Sequence, residues 1–107
     1  MMKLIGPLAA LFLASCATTP AEIRSRDVVF TGHTQRAPME VANCLSDSFS
    51  NLGSPRVSER PDGTLVEINH DGSTVISFQI DGSGNVTGRR ANSLLPIEKK
   101  ATGCLAG

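Results

Sequence analysis

The sequence predicts an α+β domain: one main helix packed on one face of a small antiparallel sheet of three to four strands. Three observations predict it. Val41, Cys44, Leu45, Ser48, Phe49 and Leu52 recur at helical spacing within residues 38–52. Residues 64–70 and 74–80 alternate in character, and Asp71-Gly72 between them is a tight-hairpin signal. Turn-forming clusters recur at intervals of roughly ten residues, the mark of an antiparallel meander.

The chain opens on a different pattern. Met1-Met2-Lys3 is short and basic, and Leu4 to Ala14 is almost wholly apolar, broken by Gly6 and Pro7. A basic start, a short apolar run and a small-residue exit form a secretory signal. A membrane-spanning helix needs about 20 apolar residues, and this run stops at Thr18-Thr19-Pro20. Its last four residues, Leu13-Ala14-Ser15-Cys16, run aliphatic, small, small, Cys.

That order resembles the lipobox of bacterial membrane lipoproteins. The resemblance implies a signal peptide over 1–15, removal of which leaves Cys16 as the first mature residue. It further implies diacylglycerol on the Cys16 sulfur and usually a third acyl chain on its amino group. Each buried methylene contributes about 0.8 kcal/mol, so two or three chains hold essentially permanently. Ala17, where family members kept in the inner membrane tend to have Asp, favours the outer membrane with the domain facing the periplasm. The rival pattern, an ordinary signal cut after Ala17, would discard Cys16 and leave its position unexplained.

Residues 16–27 then read as a lipidated Cys and a flexible, polar tether. The small domain occupies 28–107, beginning with a short strand at Val28-Val29-Phe30 closed by Thr31-Gly32. In the main helix, Pro38 suits the first position, where its missing donor is not needed. Gly53 suits a left-handed stop after Leu52. Arg56 to Arg60 is a short polar strand, and Pro61-Asp62-Gly63 a turn. Val66 and Ile68 share one face of the next strand with His70; Leu65, Glu67 and Asn69 share the other. Ile76, Phe78 and Ile80 form one face of the strand after it. Asp81 to Asn85 is a turn, and Val86 to Arg90 a further strand. From Pro96 two readings stay open: a short C-terminal helix through Ala101, placing Ile97, Ala101 and Cys104 near one face, or a single turn leading to an irregular tail. Pairing a Cys-bearing helix with a β-meander is loosely similar to many small envelope lipoproteins.

The chain has ten basic and ten acidic side chains. Removal of residues 1–15 takes away Lys3 alone among them, so the mature chain has no basic excess to attract nucleic acid. It also lacks Trp and Tyr, the usual base-stacking platform. With Cys16 assigned to lipid, Cys44 and Cys104 remain as an even pair in an exported chain, which predicts a disulfide.

Several motifs have bland explanations. Asp81-Gly-Ser-Gly-Asn85 spaces oxygen ligands as calcium loops do, but it lacks the later bidentate Glu and lies between strands. His33 and His70 have no recognisable catalytic context among many Ser and Asp. A tetrahedral metal site would need both His and both remaining Cys. Arg89-Arg90 suits a partner's carboxylate or a lipid phosphate, yet a solvated strand end explains it as well. No catalytic, metal or cofactor residue is therefore expected. The expected function is a non-enzymatic, lipid-anchored binding or assembly-support module with an envelope protein partner. The alternative is a small-ligand-binding or hydrolytic periplasmic domain.

Overall fold

The computed structural model describes residues 19–106. The expectations for the signal peptide and for Cys16 lie outside the described residues. The elements are α1 (Pro20–Arg24), β1 (Phe30–His33), α2 (Pro38–Ser48), β2 (Ser54–Arg60), β3 (Gly63–His70), β4 (Ser73–Ile80), β5 (Asn85–Arg90) and α3 (Glu98–Leu105). None of these helices is long and apolar enough to cross a membrane.

The α+β class holds, with five strands rather than three to four. Their order is β1-β5-β4-β3-β2, and every neighbouring pair is antiparallel. Strands β2 to β5 form the expected meander. β1 joins beside β5, so the segment containing α2 runs from one edge of the sheet to the other. β1 is shifted from the expected Val28–Phe30. Thr31 and Gly32, expected to close the strand, lie within it and pair with Thr87 and Val86. The physical reason is packing. Phe30 lies opposite Gly88, and Gly88 lies opposite Phe78. With no Cβ on Gly88, the Phe30 and Phe78 rings meet edge to face, centroids 6.3 Å apart. Gly32 likewise leaves room for the Leu105 side chain.

The core lies on one face of this sheet. Val66, Ile68, Ile76, Phe78, Ile80 and Val86 pack there against Val41, Ala42, Leu45 and Phe49 from the α2 segment. Ile97, Ala101 and Cys104, expected near one face of the C-terminal helix, complete the cluster. Fully burying side chains of this size contributes about 1.5–3 kcal/mol each. The main helix stops at Ser48 rather than 52, with Phe49 as its C-cap. Residues 49–52 instead form a turn closed by the Leu52 N–H donating to the Phe49 carbonyl. Gly53 is not a left-handed stop, since it is absent from the positive-φ glycines. It is needed because the chain enters β2 too close to the Asn69 carbonyl for any Cβ. The Asp71-Gly72 hairpin forms as expected, with φ of 50° and 80°.

Within the tether expected over 16–27, five residues are helical instead. Pro20–Arg24 is a helix, N-capped by Thr19, whose hydroxyl accepts the Glu22 N–H at 3.1 Å. It docks on β4 and β5, and Ile23 is fully buried. The reason is the second sheet face. Leu65 is buried there, and α1 brings its one large aliphatic side chain, Ile23, to the same face where it docks on β4 and β5. Among the described residues, Pro20–Arg24 thus packs with the sheet ahead of Val28.

Candidate functional site

The two cysteines form a structural site. Cys44 on α2 and Cys104 on α3 are joined by a disulfide with Cα atoms 5.6 Å apart, inside the usual span. Cys104 is buried, and Ser48 Oγ lies 3.5 Å from its sulfur. Three further ties hold the same helix. Arg36 Nη1 donates to the Cys104 carbonyl at 2.8 Å. Thr34 Oγ1 donates to the Leu105 carbonyl at 3.0 Å. Lys100 Nζ donates to the Ser48 carbonyl at 3.1 Å, and lies 5.7 Å from the Phe49 ring centroid. Arg36 and Thr34 thereby satisfy carbonyls that a helix end leaves open.

The histidines are apart from one another in role. His70 Nε2 stands 3.2 Å from the Asp71 carboxylate, both well exposed. His33 shares an open hollow with Arg36, Pro38 and Ser83. Its Nε2 is 3.0 Å from the Ser83 main-chain carbonyl, not the hydroxyl. The neighbouring Asp81 is engaged by its own turn. Its Oδ1 accepts the Ser83 and Asn85 N–H groups, both at 2.9 Å, and its Oδ2 accepts the Asn85 amide at 3.2 Å. The Asn85 N–H, first among these donors, holds the Asp81 carboxyl below its usual range. That loop is a self-satisfied hairpin turn. Among the described residues no group of three or more His, Cys, Asp or Glu is placed to hold a metal.

Arg89 and Arg90 do not make one basic spot, because successive strand residues face opposite ways. Arg90 turns to the helical face, donating to the Leu95 carbonyl at 3.0 Å and pairing with Glu98 at 3.3 Å. The Glu98 carboxyl is held below its usual range by its own N–H first, then by that of Ile97 and by Arg90. Arg89 turns to the opposite face, where its Nε donates to the Arg26 carbonyl at 3.0 Å.

That opposite face gathers charge that sequence reasoning did not. Arg56 lies opposite Glu67, Glu67 opposite Ser77, and Ser77 opposite Arg89, one row across four strands. Glu67 is 3% exposed, and its Oε2 has no hydrogen-bond partner. Arg24 Nη1 from α1 reaches within 4.0 Å of that oxygen. Beside them, Arg24, Arg60, Asp62, Leu65 and Gln79 line a hollow of about 300 Å³. Gln79 donates to Asp62 there at 2.8 Å. The signal that could have found this site is Ile23, a lone aliphatic residue in a polar stretch. Comparison with protein-family models, curated proteins and solved structures finds no match to this chain.

Proposed function

We propose that this chain is a lipid-anchored envelope protein whose domain is a non-enzymatic binding or assembly-support module. The observation that supports the anchor is Leu13-Ala14-Ser15-Cys16 at the end of a short apolar run. Cys16 then carries the acyl chains, Ala17 directs the protein to the outer membrane, and the domain faces the periplasm. The Cys44–Cys104 bond suits that oxidising compartment. The non-enzymatic reading is supported by how the histidines are used: one meets a main-chain carbonyl, the other an exposed carboxylate beside it in sequence. Binding to an envelope protein partner is then the work left to the surface.

Fractionation of cells producing Cys16→Ser tests the anchor. The wild-type protein is expected in the membrane fraction, and the variant as unprocessed precursor or soluble periplasmic protein. Equal membrane retention of the two, with normal processing, would sink the proposal. In-cell crosslinking of the wild-type protein identifies the partner.

A further inference from the structure

We propose that the α1-bearing sheet face, with Arg24, Arg26, Arg56 and Arg60, lies against the headgroup phosphates of the bilayer holding the anchor. This rests on lipidation of Cys16, proposed above. The first argument is reach. Only Ala17, Thr18 and Thr19 separate Cys16 from Pro20, where α1 begins. Four extended residue steps span at most about 14 Å. Because Ile23 is fully buried, α1 does not act as slack. The lipid therefore leaves the domain beside this face, and no long tether lifts the domain away.

The second argument is charge. The arginines of the helical face are occupied: Arg36 pairs with Glu40 at 3.5 Å and with the Cys104 carbonyl, and Arg90 with Glu98 and the Leu95 carbonyl. On the α1 side, the Arg26, Arg56 and Arg60 side chains have no ion-pair or hydrogen-bond partner among the described residues. Arg56 and Arg60 alternate with Ser58 along β2, so all three point to the face that carries Glu67 and Leu65. Arg60 and Arg24 line the same hollow, whose size admits a phosphate group. The acids here are Glu22 within α1, Asp27 beside Arg26, Asp62, which takes the Gln79 amide, and the buried Glu67, which Arg24 faces. Guanidinium is the side chain best matched to phosphate oxygens, which it can bind two at a time. A bilayer presents such groups as a dense plane, and basic residues near an anionic surface are attracted within about one Debye length.

The test uses the full lipidated protein in phospholipid nanodiscs containing phosphatidylglycerol and a trace of gadolinium-chelating lipid. Amide broadening is read residue by residue, and intact mass is read on the same sample. Acyl mass on Cys16, with at least threefold stronger broadening at Arg24, Arg56 and Arg60 than at Asn43 and Thr102, is the expected result. The double variant Arg56→Gln/Arg60→Gln should lose most of that difference while keeping its folded spectrum. Acyl mass with equal broadening on both faces, or stronger broadening at α2 and α3, would overturn the apposition alone. A difference unchanged in the double variant would overturn its electrostatic basis. A sample without acyl chains on Cys16 would remove the anchor, and the apposition with it.

Discussion

Cys44 and Cys104 lie 60 residues apart in the chain and 5.6 Å apart at their Cα atoms. Their bond ties α3 to α2, on the same side of the sheet as the core. Closing a loop of that length restricts the unfolded chain by roughly 4 kcal/mol in the chain-entropy treatment. A domain of this size has a net stability of only about 5–13 kcal/mol. Reduction should therefore lower the melting temperature by tens of degrees or unfold the domain outright. Thermal melts with and without reductant check this, and coincident melts would contradict it.

Arg24 and Glu67 set a second expectation. A buried carboxylate loses hydration that one partner at 4.0 Å only partly restores. Replacing it with an apolar residue of similar volume is often neutral or stabilising. Glu67→Met should leave stability unchanged or raise it. Arg24→Ala should lower it by about 1–2 kcal/mol, less than for a fully buried pair because Arg24 is 38% exposed. Urea unfolding of both variants decides the matter; the reverse order of stabilities would refute this account of Glu67.

Ile23 gives the third. The N–H groups of Ile23, Ser25 and Arg26 donate to Thr19, Glu22 and Ile23 carbonyls at 3.1–3.2 Å. Hydrogen exchange should show these amides protected in the wild type and unprotected in Ile23→Asp, with the sheet amides of β3 and β4 still protected. Unprotected amides at all three positions in the wild type would restore the flexible tether.

The fourth concerns acid. Folding holds the Asp81 carboxyl below its usual range, chiefly through the Asn85 N–H. A carboxyl depressed in the folded state adds stability above its unfolded pKa and loses it as pH falls through the folded value. The advantage of wild type over Asp81→Asn should thus be complete at neutral pH and shrink below about pH 4. A difference independent of pH would show that the charge on Asp81 contributes nothing. Added calcium should leave the melting temperature unchanged, because both carboxylate oxygens already accept bonds from their own turn.

Much of this fold was legible because single residues carried strong local signals. The alternation Ile76, Phe78, Ile80 and the Asp71-Gly72 pair define a hairpin without help from the rest of the chain. Ile97, Ala101 and Cys104 point to a helix face more weakly, level with an irregular tail, and the structure forms the helix over Glu98–Leu105. What escaped detection depended on contacts distant in sequence. Thr31-Gly32 resembles the end of a strand until Leu105 is known to pack over Gly32. Glu67 resembles a solvated position until α1 covers it, and α1 itself carries one aliphatic residue, too few for any periodic signal. The alternating positions Arg56 and Arg60 could be placed on a face, but only the register shows that Arg56 lies across from Glu67.

The central claim is the anchor, and intact mass spectrometry of protein purified from membranes tests it most directly. The account predicts a chain beginning at Cys16, heavier than residues 16–107 by two or three acyl chains and the glyceryl group, with the extra mass on the Cys16 fragment. A chain beginning at Thr18, or one beginning at Cys16 with no added mass, would contradict it.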